Sequence, residues 1–199
     1  MKIIGITGGV GSGKSRVLSY IEESYDCVIC QADHVAWDLQ KPGKKGYLEI
    51  VKHFGNEILN DDGSICRPAL GKIVFSDENE LQVLNAIMHP AVKEAIREKI
   101  SAEEQKGTSL FVLEAALLIE ERYDEICDEL WFIYADEQSR RERLKISRSY
   151  TDEKIDSMMK TQLSEDVFRK KCKVVIDNSE DFEYTCVQIQ EAIKKLESV

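Results

Sequence analysis

Apolar residues follow two rhythms along this chain. Short continuous runs at 2–7, 27–31, 110–114, 129–134 and 173–177 ("KIIGIT", "CVICQ", "LFVLE", "ELWFIY", "KVVID") read as buried strands. Between them the spacing changes to that of helices, predicted at 14–24, in a long stretch after the second strand, from Asp136 to about residue 170, and at the carboxyl end. Strands buried on both faces and alternating with helices imply a mostly parallel sheet covered on both sides. The expected fold is therefore α/β, in three layers on a five-stranded parallel sheet.

Two intervals exceed what a crossover helix needs. One, at 34–107, contains "KPGKKG", "NDDGS", Pro68 and the helical run "ENELQVLNAIMHPAVKEAIREKISAEEQKG". We read it as an inserted helical subdomain for a second substrate. The other, at 137–171, opens with Arg140, Arg141, Arg143, Lys145 and Arg148 against the single acid Glu142 within residues 140–148. Arg141 and Arg148 are seven apart and share a helix face, so this segment reads either as a solvated charged helix or as a lid that brings arginines onto phosphates. Segments 1–33, 108–136 and 172–199 then form the core.

The 199 residues carry 27 Lys and Arg against 37 Asp and Glu, a formal charge of −10. That balance argues against a nucleic-acid footprint, which needs clustered cations in excess of local acid. A small polyanion can still bind where the charge is locally basic. No apolar run reaches the roughly 18 residues of a membrane span, and the first residues lack the features of a signal peptide, so a cytoplasmic protein is expected. The six cysteines then read as reduced. Cys27 and Cys30 lie three apart on a strand and face opposite sides, which disfavours a zinc knuckle.

The chemistry starts at "GITGGVGSGKS". Gly8-x-x-x-x-Gly13-Lys14-Ser15 is a complete P-loop pattern directly after a predicted strand. Its glycines let backbone N–H groups close around phosphate oxygens, Lys14 can reach the β- and γ-phosphates, and Ser15 can place its hydroxyl on Mg²⁺. Asp33 falls at the carboxyl end of the second strand, where open α/β sheets bind ligands. It can take a proton from an attacking hydroxyl or help order Mg²⁺; it can equally cap the helix that follows. The N-K-x-D motif of GTPases is absent, and the third strand ends in Glu114 rather than the Asp of a motor or transporter ATPase. The layout is that of a small-molecule kinase; a nucleoside or nucleotide kinase and a non-catalytic ATP-binding regulator share parts of it.

Taken in order, "GITGGVGSGKS", "QADHVA", "HFGNEILNDDGSICRPALGKIVF", "NAIMHPAV", "EAALLIE", "RRERLKISR" and Gln162 ahead of "VVIDNS" resemble the dephospho-CoA kinases over nearly the whole chain. The resemblance implies transfer of the ATP γ-phosphate to the ribose 3′-hydroxyl of dephospho-CoA, with Mg²⁺, by a protein of nucleotide core, helical CoA-binding domain and lid. It implies ATP binding by Gly9, Gly11, Ser12, Gly13, Lys14, Ser15 and Arg16, by the lid residues Arg140, Arg143 and Arg148, and by Asn178 near the adenine. Asp33 would activate the acceptor, and Arg67, His89 and Leu117 would contact it. Lys14, Asp33 and Arg143 are the expected catalytic set, and a monomer is favoured. His89 before Pro90 can also mark the junction of two helices, because the residue before proline is driven from the α region. The chain departs from the family at Gln31, Arg16, Ala116 and Lys173, where Asp, Thr, Pro and Asp are usual, and by one residue in the Arg143–Arg148 spacing.

Overall fold

A computed structural model describes residues 1–198. Strands β1 (Lys2–Thr7), β2 (Cys27–Gln31), β3 (Leu110–Glu114), β4 (Glu129–Tyr134) and β5 (Val174–Asp177) form one sheet in the order β2-β3-β1-β4-β5. β1 runs parallel to β3 and β4, and β4 runs parallel to β5. The first strand is thus central, and the loop after it opens at the carboxyl edge of the sheet. The expected α/β sheet fold is the one the chain adopts.

Two-residue alternation decides what each face covers. Ile4, Ile6, Leu110, Val112, Trp131, Ile133 and Ile176 bury one face against α1 (Lys14–Ser24) and α9 (Phe182–Glu197). The opposite face holds Phe132, whose ring stacks on Phe168 of α8 (Glu165–Lys171) with centroids 4.7 Å apart and planes 8° from parallel. On that face a Cβ at Gly5 would lie 2.8 Å from Leu130 and 2.9 Å from the Cys127 sulfur, so the central strand passes where no side chain fits. Burial pushes the thiols of Cys127 and Cys172 up to about 12, and all six cysteines are unpaired with one another.

The chain divides into two compact units, Met1–Ile29 with the residues from Glu103 onward, and Cys30–Ala102. The second unit consists of α2 (Ala32–Leu39), α3 (Lys45–Phe54), α4 (Arg67–Val74) and most of α5 (Glu78–Lys106). Ile50, Phe54, Ile58, Leu70, Val74, Val92 and Ile96 are among its buried residues. "NDDGS" forms a tight turn there: Asn60 N donates to the Ser64 carbonyl at 2.8 Å, and Gly63 takes φ 77°.

One expectation fails in this unit. His89 and Pro90 do not separate two helices, because α5 runs unbroken from Glu78 to Lys106 with Pro90 inside it. A mid-helix proline costs one i→i−4 hydrogen bond and crowds the carbonyl four residues back. Here Pro90 is exposed while Met88, Ala91 and Val92 on either side are buried, and continuous burial of that stripe outweighs the local loss.

The packing analysis gives one stability expectation. Phe111 is fully buried in β3, so Phe111→Ala should lower unfolding free energy by about 3–5 kcal/mol in urea titrations. A loss below about 1 kcal/mol would mean that the site collapses around the smaller side chain.

Candidate active site

The loop between β1 and α1 is shaped by what surrounds its glycines. Gly13 caps α1 at φ 86°, and a Cβ there would stand 2.3 Å from Nδ2 of Asn178. Both dihedral and space therefore demand glycine. A Cβ at Gly9 would sit 2.6 Å from Cζ of Arg140. Lys14 folds back over the loop, donating from Nζ to the Gly8 carbonyl at 2.7 Å. The opening turn of a helix leaves amides without an intrahelical acceptor, and the macrodipole adds positive potential there, so the start of α1 suits an anion.

Two hydroxyls sharpen that reading. Thr7 and Ser12 are buried, and neither hydroxyl has a hydrogen-bond partner among the described residues. Such groups cost free energy until something pairs with them. A polyphosphate, with several acceptor oxygens, fits the donor set of this loop.

The carbonyls of the loop are held by side chains from far along the chain. Asn178, buried directly after β5, donates from Nδ2 to the Ser12 carbonyl at 2.7 Å, and its Oδ1 accepts from Thr185 at 3.1 Å. Arg143 reaches the Asn178 carbonyl at 2.7 Å and the Ser12 carbonyl at 3.5 Å. Arg140 donates from Nε to the Val10 carbonyl at 2.8 Å. Burial lowers the pKa of this guanidinium, with Glu137 and Glu165 opposing the shift, but a guanidinium keeps its charge at any physiological pH.

Both arginines ride on α6 (Glu137–Arg148), and Asp136 fixes where that helix starts. Its carboxylate accepts from Ser139 N at 2.9 Å and from Ser139 Oγ at 2.6 Å. Arg141 faces elsewhere: it pairs with Glu137 at 2.8 Å, and with Asp156 at 2.5 Å and Asp152 at 3.6 Å on α7 (Asp152–Lys160). Arg141 is a staple between helices. Arg148 is exposed, its guanidinium 6.0 Å from the centre of the Tyr150 ring.

Other expected residues take these places. Ser15 is exposed in the first turn of α1; Arg16 is also exposed and lies 3.9 Å over the Phe182 ring. Leu117 is 46% exposed in the turn after β3. In the second unit, Asp33 occupies the first turn of α2 and is exposed, while Gln31 is the N-cap. The capping alternative for Asp33 thus does not hold. His89 lies half-buried on α5. Within the same unit a cleft of about 420 Å³ is lined by His34, Trp37, Asp38, Lys41, Ser64 and Arg67, among others. Arg67 sits 5.0 Å over the Trp37 ring, and the His34 ring is 5.2 Å from Trp37, a cationic and aromatic wall suited to a phosphate-bearing heteroaromatic molecule.

The sequence reading assigned no role to Thr185, Gln162 or the capping carboxylate of Asp136. Asp136 had a local signal, an Asp three residues ahead of Ser139 at a helix start, and Gln162 only its match to the family pattern.

A parallel sheet whose central strand feeds a P-loop, followed by a helix that presents arginines to that loop, defines a P-loop kinase. The family model for dephospho-CoA kinase matches residues 2–183. A dephospho-CoA kinase of Carboxydothermus hydrogenoformans is 37% identical over 195 residues, covering 98% of this chain and 94% of the relative. Among solved structures, TT1252 from Thermus thermophilus superposes with a TM-score of 0.82 at 26% identity over 98% of this chain and 96% of its own. Dephospho-CoA kinase from Campylobacter jejuni shares the fold at a TM-score of 0.72 and 21% identity, over 98% of both chains. This chain belongs to the dephospho-CoA kinase family.

The Asp136 cap yields a test with a defined sign. Hydrogen bonds from Ser139 side chain and backbone hold its carboxyl below the usual aspartate value, so the stabilisation is complete above about pH 4 and is lost as pH falls through the native value. Asp136→Ala should cost about 1 kcal/mol at pH 7. The gap between variant and wild type should close in acid, and a gap independent of pH would assign the loss to packing.

Proposed function

We propose that the chain transfers the γ-phosphoryl group of ATP to the ribose 3′-hydroxyl of dephospho-CoA, releasing coenzyme A and ADP. The observation that carries this reading is the match to one kinase family along 182 of 199 residues, from 2 to 183, on a chain whose P-loop is complete. In it, residues 1–33, 108–136 and 172–199 form the nucleotide core, 34–107 bind the acceptor, and 137–171 act as the lid, in a cytoplasmic enzyme.

Phosphoryl transfer proceeds through a loose transition state with charge spread over the transferring oxygens, so catalysis rests on positioning and on fixed positive charge. Amides of the P-loop, at Gly9 and from Gly11 to Arg16, cradle the phosphates. Lys14 exchanges its bond to the Gly8 carbonyl for the β- and γ-oxygens. Arg140 and Arg143, already held beside the loop, supply charge at the γ-phosphate, with Arg148 and Asn178 contributing to the rest of the nucleotide. Asp33 receives the acceptor proton, which requires correct placement more than a raised pKa. Arg67 pairs with acceptor phosphates, and His89 and Leu117 line its site.

Among the described residues no group of three or more His, Cys, Asp or Glu is arranged to hold a metal. A hard cation here would take its oxygen ligands from the nucleotide phosphates and the Ser15 hydroxyl, a donor set that suits Mg²⁺. Such an ion, when bound, would supply positive charge that offsets charge developing on the phosphate oxygens.

The test is an ADP-release assay with ATP and Mg²⁺, offering dephospho-CoA, adenosine or AMP, with and without EDTA. Turnover should be selective for dephospho-CoA and abolished by chelation; turnover only on AMP or adenosine would overturn the acceptor. Lys14→Ala should lower kcat by at least about 100-fold. Asp33→Asn should lower kcat while leaving ATP affinity intact, and wild-type turnover would remove Asp33 from the chemistry.

A further inference from the structure

Gln162 stands in the turn between α7 and α8, outside every group assigned a role above, yet it touches the P-loop. Its Oε1 accepts from Val10 N at 3.1 Å and from Arg140 Nη2 at 2.9 Å. Arg140 Nε in turn donates to the Val10 carbonyl at 2.8 Å. Three hydrogen bonds therefore close a ring around the Val10 residue, a loop amide, a lid guanidinium and one side-chain carbonyl being its members.

The chemistry fixes the orientation of the Gln162 amide. A backbone N–H and a guanidinium are both donors only, so the group between them must be an acceptor, and the carboxamide has to turn its oxygen inward. The same logic sets what the ring accomplishes. Of the five N–H donors of a guanidinium, two are engaged here, on Val10 and on Gln162, and the planarity of the fork then fixes the direction of the others. Arg140 packs against Gly9, where a Cβ would be 2.6 Å from Cζ. A guanidinium pinned at two points against a glycine face has little freedom left. It is held in place before a phosphate arrives, and preorganised charge is the kind that lowers a barrier.

We infer that Gln162 is a positioning residue: its side-chain oxygen registers Arg140 against the P-loop, so that the remaining guanidinium donors point at the transferring phosphate. The inference rests on the proposed role of Arg140 in nucleotide binding. It needs no contact between Gln162 and substrate. Because Gln162 follows α7 while Arg140 lies on α6, it also ties the far corner of the lid to the loop.

Gln162→Met keeps the length of the side chain and removes the acceptor; Gln162→Glu keeps an acceptor oxygen. In Gln162→Met, kcat should fall about tenfold, with KM for dephospho-CoA and thermal stability little changed. The Val10 amide should exchange faster with deuterium in Gln162→Met and remain protected in Gln162→Glu. In a double-mutant cycle with Arg140→Ala, the two losses should overlap rather than multiply, since both remove the same placed charge.

Wild-type turnover in Gln162→Met, full multiplication of the two losses, or an unchanged Val10 exchange rate would each overturn the proposal. A loss in Arg140→Ala alone would overturn this inference and leave the kinase reading intact. Failure of the wild-type chain to phosphorylate dephospho-CoA would defeat that reading instead. Val10 exchange needs no acceptor and decides the inference in either case; it also does so in Gln162→Glu should the Met variant fail to fold, with lost protection there counting against it.

Discussion

The amides of a P-loop have to stay available to an anion, so the loop holds few backbone bonds of its own, Ser12 N on the Gly9 carbonyl at 3.2 Å among them, and other groups must fix its shape. In this chain the task falls to side chains 130, 152 and 166 residues away: Arg140 and Gln162 on Val10, and Asn178 on Ser12. The dependence is topological. Asn178 extends β5, with its amide on the Tyr134 carbonyl at 2.8 Å, and so it reaches the loop only when the far edge of the sheet has paired. The site is consequently assembled from contacts of long sequence separation, whose loop-closure cost is met by the sheet beneath.

Charge follows a similar division. Arg141 and Lys145 meet carboxylates on α6 and α7, and exposed pairs of this kind contribute little and cancel their own field. Arg140 and Arg143 are held by neutral oxygens, the carbonyls of Val10, Ser12 and Asn178 and the amide of Gln162. Hydrogen bonds to neutral acceptors fix a cation without neutralising it. A protein of net charge −10 thereby keeps a positive field beside its P-loop.

Much of this was legible from residue order. Five strands were readable because each is a short apolar run, and the P-loop because its glycines and Lys14 fall at fixed spacing within residues 8–14. Helical periodicity was less decisive after β4: it groups Arg141 with Arg148, but cannot say which face of α6 meets the loop, and the loop is met by Arg140 and Arg143. Pro90 misled for a related reason, since a local rule about the preceding residue was overridden by burial along α5. Gln162 and Asn178 matched the family pattern without their geometry being readable, because polar side chains that bond to distant backbone leave no periodic trace. Gln31 rather than Asp33 at the N-cap of α2 was equally invisible, a two-residue shift in a helix start being below the resolution of any pattern.

Cys172 caps the carboxyl end of α8 just ahead of β5 and is 5% exposed, with its thiol pushed up to about 12 by burial. At neutral pH such a sulfur is held as the thiol, whereas the thiolate is the form that reacts. Oxidants and alkylating agents in the surrounding medium thus have almost nothing to attack while the fold is closed. Reaction at this sulfur therefore requires the molecule to open, and its rate scales with the population of the opened form multiplied by the reagent's reactivity toward an ordinary thiol.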